Sequence, residues 1–146
     1  MTGRGSVPAD VAGWLGCAPG DAVVIRQRLQ LLDDVPAVFS TSYYPLWLAA
    51  GTGLETPGAL PEGPDKLIEQ LGHEFTRGLE LLRARMPTLE EARLLELDAG
   101  VPVVRMLHID YDPDGRTLQV ADDLHAGDRH EFAFEWEGDD EVPDRG

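Results

Sequence analysis

Cysteine is almost missing: Cys17 is the single one in 146 residues, so no internal disulfide can form. No second Cys or nearby His stands at metal-ligand spacing, and Cys17, just past the end of a predicted helix, reads as a passive thiol. Long apolar runs are missing too. None approaches the roughly 20 residues of a membrane-spanning helix, and the start, MTGRGSVPAD, lacks the apolar stretch of a signal peptide. The expected location is the cytosol, with no membrane partner. Positive charge is scarce: 12 Lys and Arg stand against 27 Asp and Glu, a formal charge of -15. Such a surface repels polyanions and opposes the counterion release that drives most nucleic-acid affinity, so the chain by itself is expected not to bind DNA or RNA.

The signatures of catalysis are equally thin. There is no nucleophile elbow, no Gly-rich phosphate loop, no H-x-x-x-H or Cys-rich set, and no evident Ser, His and Asp arrangement. The acidic pairs at Glu90 and Glu91 and at Asp122 and Asp123 are better explained by solvation of a helix face and a strand than by paired catalytic carboxylates. The reading is a non-enzyme with no catalytic residue, no metal ligand and no cofactor.

What is present is a hydrophobic share of 42%, normal for a globular domain, distributed with clear periods. SVPADVAGWLG reads as an opening helix, with Ser6 as cap, Pro8 in the first turn and Gly16 at the end. VVIRQRLQL alternates, with Val23, Ile25, Leu29 and Leu31 on one side and Arg26, Arg28 and Gln30 on the other. AVFSTSYY follows after a turn, so the two form an antiparallel hairpin. Leu46 to Pro64 is rich in Gly, Pro and Thr and reads as a helical turn followed by a long surface excursion, the kind of segment that often carries function.

A helix through DKLIEQL comes next, and then a strand from about Thr76 to Met86, for which helical spacing among Leu79, Leu82 and Arg83 is the competing reading. Thr88 and Glu91 form a capping box that opens another helix. VVRMLHIDY, TLQVADDLH and RHEFAFEW read as three final strands, the last with Phe132, Phe134 and Trp136 on a buried face. The sum is an α+β fold: a mostly antiparallel sheet of about six strands with helices packed on one side. Residues 1–137 are expected to form one domain, and 138–146 an acidic flexible tail.

In order and wording these elements resemble the UTRA domain of GntR-type regulators of the HutC subfamily, particularly the actinobacterial kind. The resemblance runs from about Val7 to Trp136. It rests on VPADVAGWLGCAPGDAVVIRQR, VPAVFSTSYYP, IEQLGH, RMPTLEEARLLELDAGVPVV and YDPDGRTLQVADDLHAGDRHEF. It implies a chorismate-lyase-like fold, a small-molecule metabolite effector and homodimerisation. It also implies control of DNA binding by a basic winged-helix domain that this chain does not contain. A chorismate-lyase-like enzyme and a ligand-less dimerisation module are the alternatives.

In family members that sense phosphorylated amino sugars, two arginines on the first strand and a glutamate on the second hold the ligand. By resemblance the first arginine maps to Arg28, the second to Gln30 and the glutamate to Ser40. A further glutamate maps to Gln119 and a tyrosine to His125. Strand period adds Asp123, and with the strand hydroxyl of Ser42 the expected effector site comprises Arg28, Gln30, Ser40, Ser42, Gln119, Asp123 and His125. With one guanidinium left of the two, the effector is expected to be less highly charged than a sugar phosphate. Trp47 is the aromatic expected to touch it. Arg26 reads equally well as a surface ion-pair partner. Ligand binding is expected to order Leu46 to Pro64 and so reposition the DNA-reading heads.

Overall fold

The computed structural model describes residues 1–138. These form a six-stranded sheet in the order β1-β2-β3-β6-β5-β4, with each neighbouring pair antiparallel. The strands are β1 Thr2–Ser6, β2 Ala22–Leu32, β3 Val35–Pro45, β4 Arg77–Arg85, β5 Val103–Tyr111 and β6 Thr117–Ala126. The helices are α1 Ala9–Leu15, α2 Leu46–Ala49, α3 Pro64–Gln70 and α4 Leu89–Leu94, with a 3-10 turn at Gly53–Glu55.

The apolar alternation of β2 and β3 is what divides the layers. Val23 and Tyr43 point to one face, where they pack with Val7, Val11, Leu15, Leu107, Ile109 and Val120 under α1. Their chain neighbours Val24 and Tyr44 point to the other, against Leu48, Ala49, Leu54 and Ile68 of the excursion and α3. A third cluster of Leu95, Val103 and Leu124 sits where α4 ends. Helices therefore cover both faces, not one as expected, because both residues of each pair are apolar and each needs a cover. Arg105 fixes α1 by donating to Asp122 at 3.0 and 2.8 Å while also meeting Asp10 at 2.7 Å.

The markers of α4 and of the last hairpin are in place. Thr88 accepts from the Glu91 backbone, Glu91 accepts from that of Thr88, and the same carboxylate takes a two-pronged bond from Arg85. In the DPDG turn, Asp112 accepts from the backbone of Asp114 and Arg116, and Gly115 supplies a φ of 80°. The alternating reading of β4 prevails over the helical one.

Two further expectations need correction, and one strand was not expected. Ser6 does not cap α1: it ends β1, and the N-cap is Pro8. The first residues, TGRGS, are a sheet edge that no alternation announced. They pair with β2, and a Cβ at Gly5 would lie 2.7 Å from Ile25 Cδ1, so the end of that side chain would have to turn aside. RHEFAFEW is not a strand. Arg129 binds the carbonyls of Pro36, Leu95 and Glu96 and draws the chain off the sheet, leaving Phe134 and Trp136 exposed. The count of six thus stands with one member exchanged. The expected tail lies, beyond Gly138, outside the described residues.

Candidate functional site

The antiparallel register lays polar side chains in rows across one face. Arg28 lies opposite Ser40, Ser40 opposite Asp123 and Asp123 opposite Met106. One step along the strands, Arg26, Ser42, Ala121, His108 and Glu80 form the next row. Because side chains alternate with a period of two, all of these project to the same side. The excursion and α3 roof only one end of that face, so the remainder is a concave floor. The resulting cavity encloses about 730 Å³ and takes its walls from Pro57 to Leu60, from Gly63 to Asp65 and from Thr2.

Six of the seven expected site residues line it: Arg28, Gln30, Ser40, Ser42, Gln119 and Asp123. The structure does not bring His125 to it. That imidazole lies one row further on, opposite Val38 and Val104, edge-on to His130 and Phe132 at ring distances of 4.7 and 5.1 Å. Both its ring nitrogens are buried without a hydrogen-bond partner among the described residues. Burial first, and the neighbouring His130 second, hold its pKa below the ordinary imidazole value. Trp47 is not at the cavity either: it packs against His73 and lies under the Arg116 guanidinium, 4.3 Å from the ring centre.

The site also holds groups that strand alternation alone did not single out. His108 meets Asp110 at 2.9 Å and Glu80 at 3.1 Å. The bond to Asp110 is the largest influence, burial opposes it, and the imidazole pKa is pushed up to about 9. His108 is therefore a cation at neutral pH, with both ring N–H groups donating. Asp110 also accepts from Gln119 at 2.6 Å, and the same Gln119 nitrogen donates to Asp65 at 2.9 Å. For Asp110, burial opposes ionisation, but the bonds from His108 and Gln119 and the charge of His108 outweigh it and lower the pKa. The Gln119 amide nitrogen is thus saturated by two carboxylates, and its carbonyl oxygen is the atom left for a ligand. The sequence signal was available in the i, i+2 placement of Met106, His108 and Asp110 on β5.

Arg26 and Arg28 have separate tasks. Arg26 donates to the carbonyls of Leu54 at 3.0 Å, Thr56 at 2.8 Å and Gly58 at 2.6 Å, and so ties the excursion to β2. It is a loop clamp and not a surface ion-pair partner. Arg28, two residues on, makes no hydrogen bond or ion pair among the described residues and stands exposed at the cavity. Gln30 donates to Ser40 at 3.2 Å, which leaves the serine O–H free to donate. Burial pushes the Tyr44 phenol up to about 12, although a bond with Ser42 works against it, so Tyr44 presents a neutral hydroxyl.

Comparison with known proteins places this geometry. The UTRA domain family model matches residues 3–131. The HTH-type transcriptional regulator SCO4628 of Streptomyces coelicolor is 34% identical over 97% of this chain and 52% of its own length. The effector domain of PhnF from Mycobacterium smegmatis superposes with a TM-score of 0.80 at 25% identity, covering 94% of this chain and 84% of that one. The ligand-binding domain of a GntR-family regulator from Bordetella bronchiseptica gives 0.77 at 27% identity, covering 94% and 87%. The chain spans about half the length of the curated relatives it matches. With the family model aligned from the first strand to the segment after the last, the chain belongs to the UTRA domain family.

Proposed function

We propose that this domain is the small-molecule input of a GntR-type transcription regulator, and that the cavity on the partly roofed face is its effector site. The observation that carries the reading is the Arg28 guanidinium, without a partner among the described residues, standing in a cavity of about 730 Å³ whose floor is polar side chains from five strands. That size lies within the roughly 300–1,000 Å³ of small-molecule sites, and a few fixed polar groups in a concave wall are how such sites set orientation. Arg28 supplies a fork for one carboxylate or phosphate oxygen pair, Ser40 a hydroxyl donor and Gln119 a carbonyl acceptor. We read the domain as a binder and not a catalyst because its relatives are named transcriptional regulators.

The proposed mechanism runs through β2. Arg28 meets the ligand while Arg26, on the same strand face, holds the excursion at Leu54, Thr56 and Gly58. A ligand that also touches Pro57 to Leu60 favours the closed excursion by its differential contacts. In the whole regulator, residues 1–137 would act as one cytoplasmic sensing domain that dimerises and passes this change to DNA-binding heads carried elsewhere. A thermal-shift screen of intermediary metabolites tests the reading, since a ligand bound only by the folded state raises stability by about 2.7 kcal/mol at a hundredfold excess over Kd. Arg28→Ala is expected to remove the shift and leave the unliganded midpoint unchanged. A hit whose shift survives in Arg28→Ala overturns this placement of the site.

A further inference from the structure

The charged groups of the cavity divide into those already satisfied and those that are not. Arg26 is spent on three backbone carbonyls. His108 lies between Asp110 and Glu80, and the Gln119 amide nitrogen lies between Asp65 and Asp110. Two ionic groups have no hydrogen bond or ion pair among the described residues: the Arg28 guanidinium and the Asp123 carboxylate. They are of opposite sign, and they flank Ser40 in a single row, Arg28 on one neighbouring strand and Asp123 on the other. Their backbones are therefore two strand spacings apart, roughly 9.6 Å. A half-buried carboxylate left without a counter-charge is costly, and a ligand whose cation meets Asp123 relieves that cost while its anion meets the exposed Arg28 guanidinium.

The geometry points to a small zwitterion as the effector: an amino-acid-class molecule whose carboxylate sits on Arg28, whose ammonium sits on Asp123, and whose middle lies over the Ser40 hydroxyl. This rests on the effector-site reading above and narrows it to a chemical class. The charge balance supports the narrowing. The lining holds four carboxylates, Asp65, Glu80, Asp110 and Asp123, against four cations, Arg26, Arg28, the protonated His108 and the Met1 ammonium, so its charges balance. A dianion such as a sugar phosphate enters a cavity with no net positive charge and finds, among the described residues, a single cation without a partner. A plain cation finds Asp123 but is repelled by Arg28. A molecule carrying one charge of each sign meets two partners and no net opposition.

The test uses the chain as it exists and a defined set of probes: the proteinogenic amino acids and the ω-amino acids from glycine to 6-aminohexanoate, which step the distance between ammonium and carboxylate. Binding is read by thermal shift and by calorimetry. One or more of these is expected to bind, and its N-acetylated form and its amide are each expected to lose at least about tenfold in affinity, because each removes one charge-assisted contact. Arg28→Gln and Asp123→Asn should each reproduce one of those losses. Neither side chain has a hydrogen bond or ion pair to forfeit among the described residues, and circular dichroism of each variant verifies that the fold is retained. Glucosamine 6-phosphate and inorganic phosphate are run alongside. If a phosphate or another anion binds through Arg28 with no dependence on Asp123, the zwitterion assignment falls while the effector site stands. If none of the zwitterions binds at millimolar concentration, the assignment falls as well.

Discussion

At the scale of single residues, two histidines on the face of the sheet that bears the cavity, His108 and His125, are shifted in opposite senses. His108 sits between Asp110 and Glu80, and its pKa is raised from 6.5 to about 9. Since its folded value exceeds its unfolded one, its contribution to stability is complete below about pH 6.5 and is lost as pH rises through about 9. His125 has the reverse sign. Burial, then His130, lowers its value, so acidification below about 6.5 works against the fold at that position. NMR titration of the imidazole shifts is expected to place His108 near pH 9 and to move it toward 6.5 in Asp110→Asn, because the bond with Asp110 is the first cause of the shift. A His108 midpoint near 6.5 in the native chain would remove the cationic floor from the site. At the same scale, the structure brings Arg28, Gln30, Ser40 and Ser42 to one cavity; the resemblance singled out Ser40, and alternation in RQRLQ put Arg28 and Gln30 on one face. It was silent on partners, and so it did not distinguish the spent Gln119 nitrogen from the free Asp123 carboxylate.

At the scale of elements, β2 is the part that joins the cavity to the excursion. Arg26 and Arg28 are equivalent in sequence terms, yet one grips Leu54, Thr56 and Gly58 and the other stands free. Which is which depends on where the chain crosses after β3, a tertiary fact with no local signal. Arg26→Ala should release the excursion at a cost of about 1.5 kcal/mol, the order of one hydrogen bond from a charged donor discounted for partial exposure. Hydrogen exchange is expected to quicken at Gly53 to Gly58 and to remain unchanged in β3 and β6. Arg28→Ala should leave exchange in both regions as it was, and equal loosening by the two variants would contradict the division of labour. The misread elements follow the same logic. TGRGS has no apolar alternation to betray a strand, and it pairs because the β2 edge needs a neighbour and Gly5 admits Ile25. RHEFAFEW alternates well, but period alone does not create a partner strand, and Arg129 anchors its start to loop carbonyls instead.

At the scale of the whole molecule, the decisive quantity is a formal charge of -15 on 146 residues. The chain belongs to the UTRA domain family, and the curated relatives it matches are named HTH-type regulators, a name that points to DNA recognition in those proteins. The charge argues that this recognition does not reside in these residues. Phosphate contacts are made by Lys and Arg, and several of the arginines here are already committed: Arg4 to Glu55, Arg85 to Glu91, Arg105 to Asp122 and Asp10, and Arg116 to Asp112. An approaching duplex would displace these pairs and meet the remaining carboxylates without releasing counterions on balance. The chain alone is therefore expected to leave duplex DNA unshifted in a gel even at about 50 mM salt, where nonspecific binders are strongest. Adding effector should not change that result, because a ligand that reorganises the cavity does not alter the sign of the outer surface. A salt-dependent shift produced by this chain alone would show that the negative charge is segregated away from a basic face, and would return DNA contact to the sensing domain itself.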